Sequence, residues 1–293
     1  MSVKVGRRTE KRYGLILTCL STRAIHVELL DSMNTDSAIL ALRRFVSLRG
    51  QPVCLYSDNG SNFRGADNEL KRAWREIKMD KIQTKFATGR TSWKFNPPLS
   101  PHFGGAWERL VQSVKKSLEF TLKSRIPKEE VLKTLLFEAA NSVNSRPLTH
   151  VSIDKDDPEA LTPNHFLLGT SGSAPTPGVF SDQDLFLRNQ WRLSQRLSDI
   201  FWNRWVKEYL PTLTKRSKWN ISAKPFQVSD VVIIADENNP RNLWPKGIIV
   251  ATFPGKDGKI RVVEVKTCTG TYRRPVCKII VLDVHQKESD DPQ

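Results

Sequence analysis

The chain has no run of eighteen apolar residues, so no segment reads as a helix that crosses a bilayer. Its first stretch, Met1 to Arg8, has no apolar core of the length a secretory leader needs. Cysteine is scarce. Cys19, Cys54, Cys268 and Cys277 are scattered and form no Cys-x-x-Cys pair, which argues against a disulfide framework and a cysteine zinc site. These absences place the expected setting in the nucleus or cytoplasm, away from any membrane, and not in secretion. Internal repeats and low-complexity tracts are also missing.

What is there is a large positive charge. The 293 residues carry a net +15 with a pI near 9.8, and 39% are apolar, enough for at least one full core and two domains. Positions 1–170 hold 27 basic against 18 acidic residues, and 171–293 hold 19 against 13. A surplus in both halves points to an extended polyanion, most simply nucleic acid. Composition alone leaves an anionic membrane surface or a ribosomal site as alternatives.

The organising stretch is Pro52 to Phe63. Pro52 to Tyr56 reads as a buried central strand that delivers Asp58 to solvent beside Asn59-Gly60. An acid held there can bind a divalent cation, or it can simply open an Asx turn. Ahead of it, Tyr13–Leu20 and Ala24–Leu30 read as an antiparallel hairpin in which His26 is a packed residue. The charged run Arg7–Arg12 reads as a turn. Thr35-Asp36-Ser37 is expected to cap a helix ending at Gly50, and Asp31 to be the polar end of the hairpin. A helix over Phe63–Ile77 and a strand at Ile82–Phe86 follow. Ala87–Gly105 reads as irregular loop.

Gly104-Gly105-Ala106-Trp107-Glu108 opens an amphipathic helix with Trp107, Leu110, Val111, Val114, Leu118 and Leu122 on one stripe. Glu108 in its first turn suits the helix dipole, or aims a carboxylate at a cleft with Lys115 further along to hold phosphate. Another helix starts at Pro127. Positions 1–170 thus form a core, 171–183 a linker, and 184–220 an aromatic connecting helix suited to packing against another domain or a partner. Strands at Val231–Ile234, Gly247–Phe253, Ile260–Val265 and Val276–Leu282 suggest a small SH3-like barrel over 221–285, and 286–293 a disordered tail.

Ser57-Asp58-Asn59-Gly60-Ser61-Asn62-Phe63, followed by Asn96-Pro97-Pro98-Leu99-Ser100-Pro101-His102-Phe103-Gly104-Gly105-Ala106-Trp107-Glu108-Arg109, resembles the integrase core of Pao/Bel-type retrotransposons. Trp202–Leu210, Asn242–Gly247 and Arg274-Pro275-Val276 resemble the domain of unknown function that follows that core. The resemblance implies an RNase H-like α/β core, a mixed sheet flanked by helices. Asp58 and Glu108 would be the second and third acids of an Asp-Asp-Glu set holding Mg²⁺ or Mn²⁺. It also implies DNA as partner, both element ends and target, and a homo-oligomer. Asn59, Arg109, Lys115, Lys116, Arg273 and Arg274 are the candidates for nucleic-acid contact.

Two metal ions about 3.5–4 Å apart serve phosphoryl transfer, and one acid must bridge them. The resemblance places that acid on a first strand, yet no Asp precedes Tyr13, and Glu10 is the first acidic residue. The reading is a chain truncated at its N-terminus, or else an integrase-derived module retained for DNA binding or assembly. Either way the expectation for the chain as it stands is no catalysis.

Overall fold

The computed structural model describes residues 1–58, 60–76, 91–95, 105–123, 125–148, 160–172, 178–213, 226–234, 241–242, 244–255, 258–268 and 270–281. It divides into two compact units, Met1–Gln112 with Ser124–Ala140, and Ser113–Lys123 with Asn141–Gln293.

In the first unit β1 (Ser2–Val5) pairs antiparallel with β2 (Arg8–Lys11) around Gly6, whose φ of +59° suits a tight turn. Arg8–Lys11 is therefore a strand and not a turn. A ladder needs only backbone, so the charges of β2 lie outward while Val3 of β1 is fully buried. β3 (Tyr13–Thr18) and β4 (Ile25–Leu30) form the expected hairpin, with Tyr13 opposite Leu30 and Thr18 opposite Ile25. Leu15 and Leu30 pack on Ala41 of α1 (Thr35–Arg49). The cap of α1 is Asn34, whose side chain accepts the Ser37 N–H at 2.8 Å. Asp36 lies in the first turn instead, and Gly50 (φ +84°) closes the helix.

β5 (Cys54–Ser57) pairs parallel with β6 (Ser92–Phe95), so one strand lies inside the stretch read as irregular loop. Among the described residues β6 is the single partner of β5, which is half-buried with Tyr56 exposed, and not a buried central strand. The pairs β1–β2, β3–β4 and β5–β6 are separate ladders, so the described residues of this unit show three strand pairs and not one mixed sheet. α2 (Ser61–Glu76) buries Ala66. The strand expected at Ile82–Phe86 lies outside the described residues.

α3 (Gly105–Leu122) and α4 (Glu129–Asn144) run through the division between units. The buried face of α3 holds Val114 and Leu118, and also Ser117 and Thr121. Those hydroxyls are satisfied inside the helix: Ser117 donates to the Ser113 carbonyl at 2.8 Å, and Thr121 to that of Ser117 at 2.7 Å.

In the second unit, α5 (Pro163–Leu168) is followed by a 3-10 turn at Asp182–Leu185 and by α6 (Gln190–Leu213), which starts later than the Asp184 expected. Asp184 is instead the buried partner of Arg192 (2.5 Å) and accepts the Ser181 N–H at 2.8 Å. β7 (Val231–Ile234), β8 (Lys246–Pro254), β9 (Ile260–Thr267), β10 (Gly270–Pro275) and β11 (Ile279–Val281) form an antiparallel sheet in the order β10-β9-β8-β7-β11. Val232, Ile234, Ile249, Val263, Val265 and Ile279 make its core. Among the described residues the sheet is open, not the closed barrel expected. Val276–Lys278 coils into a 3-10 turn, which leaves β11 three residues that pair, among the described residues, with β7 alone. Ile233 and Ile280 pack on Val206 and Tyr209 of α6 and on Trp244, so the aromatic helix covers a sheet of its own unit.

Candidate metal and nucleic-acid site

Asp58 follows directly on β5, as the sequence places it, and its carboxylate is exposed. One oxygen accepts the Gly60 N–H at 3.1 Å, which is an Asx turn. Gly60 in turn opens α2: its carbonyl accepts the N–H of Phe63 at 3.1 Å and of Arg64 at 3.0 Å. A Cβ on Gly60 would lie 2.8 Å from the Asn62 side-chain oxygen and 3.2 Å from that of Asp58, so the turn accepts only glycine without a shift. The Asp58 carboxylate therefore sits at the N-terminal end of α2, where the Gly60 amide competes with a cation for one of its oxygens.

Glu108 lies in the first turn of α3, half-buried, in the same unit as Asp58. Two carboxylates with water suit one Mg²⁺, which binds through one or two acids. Among the described residues no group of three or more His, Cys, Asp or Glu is close enough to hold a metal. Three acids of the N-terminal part, Glu10, Asp31 and Glu28, are engaged elsewhere. Glu10 and Asp31 both face Arg12, at 2.8 and 3.2 Å, and Glu129 meets the same guanidinium at 2.8 Å. The hydrogen bonds from Arg12 to Glu129 and Glu10 hold its pKa above the ordinary arginine value. Glu28 is buried between His26 (3.0 Å) and Arg44 (2.7 Å). His26 is thus packed, tilted against Phe45 at 5.3 Å, as its place in the hairpin suggests.

Of the expected nucleic-acid contacts, Lys115 and Lys116 are exposed on α3 and Arg109 is exposed near its start. Arg273 on β10 lies 3.2 Å from Glu264 and over the Phe253 ring at 4.6 Å, and Arg274 lies over Tyr272 at 5.3 Å. Asn59 lies outside the described residues.

Residues that sequence reasoning missed stand beside Asp58. Tyr56 and Lys94 are directly opposite on the β5–β6 ladder, with the Lys94 Nζ 5.7 Å from the Tyr56 ring centre. On the other face Trp93 donates to the Ser57 hydroxyl at 2.9 Å and stacks with Phe95 at 5.7 Å. The available signal was the alternation in Ser92-Trp93-Lys94-Phe95.

Comparison with known proteins adds three findings. No curated protein matches the chain. A cryo-EM structure of the simian T-cell lymphotropic virus intasome, in complex with PP2A regulatory subunit B56 gamma, matches with 12% identity and a TM-score of 0.35, over 98% of this chain and 77% of that one. That likeness is too weak to assign a fold. Residues 189–282, which span α6 and the C-terminal sheet, match a family of unknown function, DUF5641.

Proposed function

We propose that the chain is an integrase-like protein of Pao/Bel retrotransposon type that binds DNA. In this reading the first unit derives from an RNase H-like core and the C-terminal sheet from an SH3-like module. Asp58 and Glu108 are two of the acids that serve metal-dependent joining of DNA ends, and the protein works as a homo-oligomer. The observation that carries the reading is the pair of motifs around Asp58 and Glu108, in this order. Support comes from the exposed carboxylate at the end of β5 and from the acid in the first turn of α3. When bound, Mg²⁺ or Mn²⁺ would supply charge neutralisation at the reacting phosphate. Asp58 and Glu108 would hold it and orient its waters.

The engagement of Asp58 with the Gly60 amide favours a second reading, a DNA-binding or assembly module without turnover. Incubating the chain with labelled duplex DNA and Mg²⁺ or Mn²⁺ separates the two. Salt-sensitive binding without nicking or strand transfer is the outcome expected of the chain as it stands. Turnover abolished by Asp58→Asn would establish the enzyme instead. No binding at low salt would remove both readings.

A further inference from the structure

We propose that the exposed face of the β5–β6 pair, Tyr56 with Lys94, is a stacking platform for one unpaired base of a DNA strand whose adjoining phosphate lies toward Lys94. The inference rests on the DNA-binding reading and names the form of DNA that this site takes.

Three observations carry it. Tyr56 is an aromatic residue 46% exposed in mid-strand, where the pairing of Tyr56 with Lys94 fixes its backbone. A ring of this kind offers an open π-face, and every base can stack on it whatever its sequence. Lys94 stands directly across the ladder. With its ammonium 5.7 Å from the ring centre it makes a loose cation–π contact, which a base can displace while the charge stays within reach of the adjoining phosphate. The third observation is place: Asp58 follows β5 directly, two positions beyond Tyr56, so the platform borders the candidate metal site.

The rest of the pair is built to keep this platform rigid. The opposite face is held by Trp93, which donates to Ser57 at 2.9 Å, and by the Trp93–Phe95 stack, over which Arg64 lies 5.8 Å from the Phe95 ring centre. Ser57 also donates to the Asp58 carbonyl at 2.9 Å, which ties the strand end to the turn. A closed duplex offers a base face only at its termini, and there as a pair, whereas every base of a single strand is available, so the site favours single strands and frayed ends over closed duplex.

The test uses the full chain with single-stranded DNA carrying 2-aminopurine, whose fluorescence falls when it stacks on an aromatic ring, and with covalently closed circular duplex as comparison. Wild-type protein should quench the single strand. Tyr56→Ala should remove the quench and weaken single-strand affinity roughly 5- to 150-fold, the effect of one lost base–aromatic stack. Its duplex affinity should stay within about twofold, because phosphate contacts supply that binding. Tyr56→Trp should keep the quench, and Lys94→Ala should weaken single-strand binding with part of the quench retained. Unchanged quench and affinity in Tyr56→Ala, or duplex binding by wild type with no quench of the single strand, would overturn the platform and leave the DNA-binding reading standing. Absence of binding to either DNA at low salt would overturn both.

Discussion

At the scale of single residues, several acids of this chain are explained by the cation or amide each one faces. Asp58 is held by the Gly60 amide, Asp31 and Glu10 by Arg12, and Asp184 by Arg192 and the Ser181 N–H. For Asp184 the consequence can be measured. The hydrogen bond from Arg192, then that from Ser181, hold its pKa below the ordinary carboxylate value. A carboxyl whose folded pKa is depressed contributes stability that is present above its unfolded value of about 3.9 and lost as pH falls through the folded value. Urea midpoints of the wild type should thus fall between about pH 5 and about pH 3, and Asp184→Asn should reduce that fall while lowering the midpoint at neutral pH. An equally steep acid loss in the variant would show that other carboxylates carry it. None of this was readable from the sequence, where Asp184 looked like the start of a helix. The reason is that its partner lies eight positions on and meets it only after the chain has turned at Asp182–Leu185.

Among the elements, legibility follows how local the cause is. The β3–β4 hairpin could be read because alternation and the Ser21–Arg23 turn are near each other in sequence, and the strands β7, β8 and β9 could be read for the same reason. β6 could not. Its parallel partner β5 lies some forty positions earlier, from Cys54 opposite Ser92 to Ser57 opposite Phe95, and its neighbours are glycine and proline. The buried face of α3 was half legible, since Val114 and Leu118 lie on the apolar stripe, whereas Ser117 and Thr121 enter the interior by bonding to their own helix. Candidate site legibility has the same limit. Asp58 and Glu108 stand in sequence motifs, while the Tyr56–Lys94 pair depends on a ladder that no local pattern announces.

α6 makes the strongest statement at this scale. Leu197, Phe201, Trp202 and Trp205 are buried on it, with Trp205 stacked on Tyr209 at 4.8 Å and Trp202 set edge-on to Trp244 at 5.0 Å. Truncating a fully buried aromatic in such a cluster costs about 3–5 kcal/mol. Trp205→Ala should therefore unfold the second unit or lower its melting temperature by many degrees. Trp205→Phe should cost far less, because the Trp205 indole N–H has no hydrogen-bond partner among the described residues. Comparable losses in both variants, read by thermal melts, would mean that the indole N–H is satisfied and matters.

Across the whole molecule, the property that most governs binding to a polyanion is the net charge of +15, carried on both sides of residue 170. Each lysine that meets a phosphate releases a condensed counterion, so the logarithm of affinity should fall with the logarithm of salt by about 0.9 per contact. Not every cation contributes equally. The Arg273 guanidinium is 3.2 Å from Glu264 and rests on Phe253, so part of its charge is answered within the protein. Lys115 and Lys116 are exposed on α3, with no ion pair to an acid among the described residues. If both meet phosphate, Lys115→Gln with Lys116→Gln should flatten the salt dependence for duplex DNA by about 1.8 and weaken binding to all duplex sequences alike. Arg273→Gln should change the slope by less than about 0.9, since Glu264 competes with phosphate for that guanidinium and fewer counterions are released there. Titrations across a range of salt concentrations decide it. A slope left unchanged by the double lysine variant would place the DNA on another face, and a larger effect from Arg273→Gln would move the principal contact to β10.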